Sequence, residues 1–352
     1  MVTQLMTTFL GVLTYIGYIA LALAVLLLMI TIHEFGHYTA GKIFKFKIDE
    51  FSIGFGKAIY TKKKKNGEIF SIRMLPLGGY CAFAGEDSAE TKEGDFNSKP
   101  CWQRLIVQVS GVLFNFLSAI LFTIILLVSF GYDIPKISTI DPSGANAHLQ
   151  KSDVITHIDG EKINFSNGNT FSVLLNKHIG SETVAITIKR GGEKIESYLN
   201  IATKKGENGK TYFNLGMTVS PTPQSLWTAI ARSVPMTFEM AWQVLKFLFM
   251  LLTGQVALSG VTGPISTITT IASYTEQSFA NLFVFLPFIA VNLAVFNILP
   301  IPSLDGARMV FTGIEWIRRK PINREIEAQI HFWGLMVLLV FVVAIDFIHF
   351  LS

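Results

Sequence analysis

"TIHEFGHYTA", Thr31 to Ala40, follows a run from Phe9 to Ile32 that holds no charged residue. Two histidines and a glutamate thus stand where a membrane-crossing helix would be ending. Ionisable groups at membrane depth are expensive and tend to mark function. His33 and His37 are four positions apart, which puts both imidazoles on one helical face. Two neutral imidazoles so placed can share one zinc ion, with Glu34 beside them as general base. HExxH also arises by chance, and the bland alternative is a helix end whose polar side chains reach interfacial water.

The rest of the chain supports a membrane setting. Of its 352 residues 50% are hydrophobic and only 15% charged, against roughly 25% charged in soluble domains. A span needs about 20 apolar residues, and four segments qualify: Phe9 to Ile32, Leu105 to Phe130, Phe279 to Ile301 and Phe332 to Leu351. The first lacks a basic leader and a small-residue cleavage site, so it reads as retained rather than cleaved. A fifth run, Phe238 to Leu252, is shorter, carries Glu239 and Lys246, and reads as an interfacial helix.

Lys and Arg crowd two segments. One, between the first two spans, includes Lys42, Lys62 to Lys65, Arg73 and Arg104; the other includes Arg308, Arg318, Arg319, Lys320 and Arg324. Both are expected on the cytoplasmic side, with the termini and the long central segment outside. The basic run at Lys62 to Lys65 has no interleaved aromatics, so no nucleic-acid partner is expected. Cys81 and Cys101 are too few and too far apart for a disulfide framework or a CxxC pair.

A catalytic zinc takes three protein ligands and leaves one position open. "NILPIPSLDG", Asn297 to Gly306, closes the third apolar run and presents Asp305 at the same membrane end as His33 and His37. Pro300, Pro302 and Gly306 break the helix there. Irregular backbone at that depth survives only where protein or a watery cavity surrounds it. An Asp offered by a broken helix to a two-histidine helix favours a metal site over a solvated carboxylate.

With "HEFGH" at His33 to His37 and "NILPIPSLDG" at Asn297 to Gly306, the chain resembles the site-2 protease family of intramembrane zinc metalloproteases. "LPLGGY", Leu75 to Tyr80, resembles the membrane-associated β-hairpin of its bacterial branch, and the match runs through essentially the whole chain. The resemblance implies that His33, His37 and Asp305 bind Zn2+ and that Glu34 is the catalytic base. It further implies that Asn297, Gly78, Gly79 and, on "GVLFN", Asn115 contact the substrate. "DPSGANAHLQKSDVITHIDGEKI" resembles a PDZ domain, departing at His148 and Ser152 where that pattern has glycines.

The fold class implied is a polytopic α-helical membrane protein: four transmembrane helices, a cytoplasmic-side membrane-associated β-hairpin segment and one external PDZ-like α+β domain. The first helix takes residues 1–38 and the hairpin segment with its loop 39–104. The second helix is expected over 105–131, the PDZ-like domain over 132–203 and an external linker with an interfacial helix over 204–278. The third helix, ending in LDG, takes 279–305, a cytoplasmic loop 306–327 and the fourth helix 328–352. The implied partners are single-span membrane protein substrates, such as trimmed anti-sigma factors or signal-peptide remnants, the lipid bilayer, and a peptide ligand for the PDZ-like domain. The implied location is a bacterial inner membrane with the active site toward the cytoplasm. His157 and His178 read as ordinary residues of the external domain, and His331, opening the fourth span, as lying away from the site. "GPIS", Gly263 to Ser266, reads as a turn that seats the third span.

Overall fold

The computed structural model describes residues 2–86, 88, 92–131, 135–163, 170–205, 211–256 and 261–351; the expected domain edges at 1, 132 and 352 lie outside them. In chain order the elements are α1 (Val2–Ile43), β1 (Ile48–Lys63), β2 (Ile69–Phe83), α2 (Cys101–Ser129), β3 (Pro135–Ile140), β4 (Val154–Ile158), β5 (Glu161–Lys162) and α3 (Phe171–Asn176). Then come β6 (Thr183–Arg190), β7 (Glu193–Asn200), β8 (Ala202–Lys205), β9 (Thr211–Asn214), β10 (Met217–Pro221), α4 (Leu226–Leu252), α5 (Pro264–Gln277), α6 (Phe279–Ile298), α7 (Asp305–Arg318) and α8 (Arg324–Leu351).

Five helices among the described residues are long and apolar enough to cross a membrane: Leu10–Ile43, Cys101–Ser129, Leu226–Leu252, Phe279–Ile298 and Arg324–Phe347. The Phe238 run is therefore not a short helix. It is the C-terminal part of the 27-residue α4, which continues through Pro235, so length no longer separates it from the spans. Two further boundaries differ from expectation. The third apolar helix stops at Ile298, because Pro300 and Pro302 cannot continue it, and Asp305 opens α7 instead of closing α6. Much of the expected 306–327 loop is consequently helical.

The chain divides into two compact units. In the unit made of Met1–Phe122 and Ala241–Ser352, β1 and β2 form more than a simple hairpin. Ser52 pairs with both Tyr80 and Ser71, while Thr61 also pairs with Ser71. Each strand is thus folded over, and four stretches lie side by side in the order 79–83, 48–53, 69–73, 58–63. The fold-over needs Gly54, whose φ is +88° and whose absent Cβ would stand 2.8 Å from the Leu75 carbonyl. Its consequence is that residues 79–83 form an outer edge.

The hairpin is tied down by Glu68, a buried carboxylate that receives Lys42 and, at 2.6 Å, Lys64. Burial pushes its pKa up, but hydrogen bonds from Lys42, Lys64 and Asn66 outweigh that and hold it at about 2. A second buried carboxylate, Glu315 on α7, accepts from Arg104 at 2.5 Å, Arg324 at 2.7 Å and the Ile322 N–H at 2.8 Å. These bonds join α2, α7 and the start of α8.

The second unit, Thr123–Met240, carries a sheet in the order β10-β3-β4-β6-β7, with β5 paired to β4. Apolar residues of β4 and β6 bury one face against Leu174 and Leu175 of α3: Ile186 and Ile188 alternate along β6, and an irregularity in the pairing of β4 between Ile155 and His157 lets Ile155 and Ile158, three apart, enter the same core. "RGGE" forms a two-residue hairpin between β6 and β7, Arg190 opposite Glu193, with both glycines at positive φ. The expected domain end at 203 falls short. β10 pairs with β3, whose Ile137 is fully buried, so part of the expected linker is a strand of the sheet. Ser152, one departure from the PDZ pattern, keeps a glycine-like φ of +78°. Beside it Asp153 takes two bonds from Arg190, at 2.7 and 2.6 Å. His148, the other departure, stacks on Tyr198.

Candidate metal centre

α1 crosses α2 at close quarters because both carry glycine at the contact. A Cβ on Gly36 would lie 2.4 Å from the Ser110 carbonyl, and one on Gly111 would lie 2.4 Å from His37 Nε2. The histidines are therefore pressed against α2 and nearly buried. Their Nε2 atoms stand 3.2 Å apart, and Asp305 Oδ2 is 2.9 Å from that of His33 and 3.1 Å from that of His37.

This donor set fits a cation. His37 Nδ1 lies 2.8 Å from the Val107 carbonyl, which can only accept, so the hydrogen is on Nδ1 and Nε2 of the neutral ring presents a lone pair. The Asn115 amide lies 3.1 Å from His33 Nδ1, and its oxygen has no partner when the nitrogen faces the ring. Turned by 180°, an assignment that heavy-atom positions leave open, Asn115 accepts from Nδ1–H and frees His33 Nε2 as well. Three lone-pair atoms then face one point, which is repulsive without a positive charge among them. Their separations of 2.9 to 3.2 Å approach the ligand–ligand spacing of about 3.3 Å in a tetrahedron with 2.0–2.1 Å bonds to zinc. His33, His37 and Asp305 are the group of described residues that could hold a metal ion.

Beside them is a cavity of about 220 Å³ lined by Ile30, His33, Glu34, Leu293, Asn297, Ser303, Leu304 and Asp305. Glu34 and Asn297 thus share one space with two of the three metal-binding candidates. Gly79 on the outer strand edge lies against Glu34: a Cβ there would be 3.6 Å from Glu34 Cγ. Gly78 does not face this space but packs on the Phe55 ring. Asn115, expected among the substrate contacts, is 0% exposed, so its amide reaches His33 and no substrate.

One residue set aside by the sequence reading lies close by. His331 Nδ1 accepts the Ser303 N–H at 2.8 Å, two residues before Asp305. No motif carried that signal, because a histidine at a helix start on its own has no preferred partner. "GPIS" is not the expected turn: Pro264 opens the 14-residue α5, and Asp346 of α8 accepts from the Ile265 and Ser266 N–H groups there.

A buried His–His–Asp cluster with a glutamate at its side is the arrangement of a metal-dependent hydrolase. The profile of peptidase family M50, the family of site-2 proteases, matches residues 21–341, and the chain belongs to that family. It is 27% identical over 402 residues to the regulator of sigma-W protease RasP of Bacillus subtilis, covering 90% of this chain and 94% of that one. To the zinc metalloprotease RasP of Geobacillus kaustophilus it is 26% identical over 403 residues, covering 90% and 94%. To the Fusobacterium nucleatum protein FN1322 it is 29% identical over 331 residues, covering 93% and 96%. A Listeria monocytogenes PDZ domain aligns to 26% of this chain at 21% identity, and its TM-score of 0.20 carries no argument. The protein is a zinc metalloprotease with several membrane-type helices.

Proposed function

We propose that this protein is an intramembrane endopeptidase that cuts single-span membrane proteins, with zinc held by His33, His37 and Asp305 and with Glu34 as catalytic base. The observation that carries the reading is the cluster of His33, His37 and Asp305, two of which share one small cavity with Glu34 beside membrane-type helices. Zinc there supplies Lewis acidity to the scissile carbonyl and to the attacking water. Glu34 takes the proton of that water and passes it to the leaving amine. Asn115 and the Val107 carbonyl hold the two imidazoles so that Nε2 of each faces the metal.

A helical substrate hides its peptide bonds in its own hydrogen bonds and must be unwound before water can attack. The outer edge of residues 79–83 offers substitute partners beside Glu34, following the logic of strand addition. In this reading the substrate backbone pairs along the 79–83 edge, which takes in Gly79 and Tyr80 of the expected Leu75 to Tyr80 stretch, and is held from the other side by Asn297. Lys and Arg distribution supports four spans with α4 on the outer surface, the active site toward the cytoplasm and the PDZ-like unit outside; the bacterial relatives support a bacterial inner membrane. The PDZ-like unit screens substrates by size or binds a peptide end. The RasP relatives support a role in regulated intramembrane proteolysis, with trimmed anti-sigma factors or signal-peptide remnants as substrates.

The test is zinc content and cleavage measured together. Glu34→Gln should keep about one zinc per chain and lose turnover, whereas Asp305→Ala should lose the metal. Full metal content and activity in Asp305→Ala would remove it from the ligand set. Cysteine accessibility at Gly67 and Ile322 should report the cytoplasmic side; labelling of either from outside would reverse the orientation.

A further inference from the structure

We infer that His331 and Gly334, one turn apart on α8, are positioning residues that lock the Pro302–Ser303 turn and thereby set Asp305 as a metal ligand. The inference rests on the zinc reading above, yet α8 contributes no residue to the donor cluster or to its cavity.

Leu304 N–H donates to the Ile301 carbonyl at 3.0 Å, closing a four-residue turn with Pro302 and Ser303 at its centre. Ser303 has φ +82°. Pro followed by a positive φ is the pattern of a type II turn, in which the second central position favours glycine. Pro302 suits its place and Ser303 does not, since a side chain disfavours the left-handed region. Such a turn also leaves the N–H of that second residue without an acceptor inside the turn. His331 supplies one, with Nδ1 at 2.8 Å from the Ser303 nitrogen. Its ring is in turn steadied against Phe311 of α7, with centroids 5.6 Å apart.

Gly334 completes the seat. A Cβ at that position would fall 2.2 Å from Pro302 Cβ, a rigid ring atom, and 3.1 Å from the Pro302 carbonyl oxygen. α8 therefore offers a notch for Pro302 and, three residues earlier, an acceptor for Ser303. Both contacts fall on one helical face. The turn leads directly into Leu304 and Asp305, where α7 begins. If Ser303 relaxed to negative φ, the following peptide would rotate and carry the Asp305 carboxylate with it. A metal site tolerates ligand displacements of only about 0.2 Å, so turn conformation and metal affinity are coupled.

The experiment measures zinc affinity of purified full-length protein in detergent by competition with a chelator, independently of turnover. His331→Phe keeps the ring against Phe311 and removes the acceptor; His331→Asn restores an acceptor near the position of Nδ1. Gly334→Ala fills the notch. The expected result is a Kd for zinc raised about tenfold in His331→Phe and in Gly334→Ala, the lower end of what loss of an outer partner costs a metal site, with His331→Asn close to wild type. Thermal unfolding of the metal-free variants serves as the control for a general folding defect. Wild-type affinity in His331→Phe would overturn the inference, and so would His331→Asn binding as weakly as His331→Phe. Absence of zinc from the wild type would instead bring down the metal reading, and this inference with it.

Discussion

Replacing Gly111 by alanine tests the geometry of the site most directly, because it adds one methyl group and touches no ligand atom chemically. That methyl would stand 2.4 Å from His37 Nε2, 2.6 Å from His37 Cε1 and 2.7 Å from His33 Cε1. Ordinary contact between such atoms needs about 3.5 Å, so roughly 1 Å must be found. The rings cannot turn away without loss: His37 is held by the Val107 carbonyl at 2.8 Å and His33 by Asn115 at 3.1 Å. α1 and α2 must therefore separate, or both Nε2 atoms must leave their common point. A movement of about 1 Å is several times what a metal site tolerates, about 0.2 Å. We expect zinc affinity to fall by about 100-fold, with a loss of about 1–3 kcal/mol in the stability of the metal-free protein from overpacking. Chelator competition measures the first and thermal unfolding in detergent the second. Gly17→Ala is the matched control, since nothing lies within 4 Å of its Cβ position. Wild-type zinc affinity in Gly111→Ala would refute the placement of the two Nε2 atoms around a metal.

Three further outcomes follow from the same packing. Glu68 has its pKa lowered from 4.5 to about 2, worth about 3 kcal/mol at 1.36 per unit and about 1–2 once screening of its partly exposed lysine partners is allowed for. Because the folded value is depressed, that stability is present above about pH 4.3 and is lost as pH falls toward 2; Glu68→Gln should remove it at pH 7 and flatten this dependence in unfolding scans. Arg104→Met leaves Glu315 buried with Arg324 as its remaining side-chain partner and should cost about 3 kcal/mol in thermal unfolding; an unchanged midpoint would count against the ion pair. Asp346→Ala removes the acceptor for the Ile265 and Ser266 N–H groups, a loss of about 1 kcal/mol that amide exchange should report as faster opening at the start of α5.

Part of the proposed site was legible in the sequence because three of its members are local. Spacing of four puts His33 and His37 on one helix face, and Glu34 comes with them. Pro300 and Pro302 announce a broken backbone. Long apolar runs can satisfy their backbone in lipid only as helices, so most of the architecture also follows from the order of the residues. Alternation of apolar and polar residues in the sequence marks β3, β4, β6 and β7, whereas the short strands β5, β8, β9 and β10 carry no such signal, and β10 has no partner until β3 is folded beside it.

What the sequence could not decide depends on contacts between residues far apart in the chain. Asp305 opens α7 rather than ending α6, because the six residues 299–304 between the two helices are non-helical and include a turn packed against another helix. Gly36 looks like an ordinary small residue, and Gly111 only like part of the "GVLFN" patch, until α1 and α2 approach closely enough for a single Cβ to collide with backbone or imidazole. Asn115 changes from a substrate contact to a buried partner of His33 for the same reason. His331 carries no motif, and its meaning arises only when a left-handed serine 28 residues away presents an N–H to it. Residue identity and spacing fixed which groups can bind a metal and break a peptide bond; packing between helices decided how those groups are held.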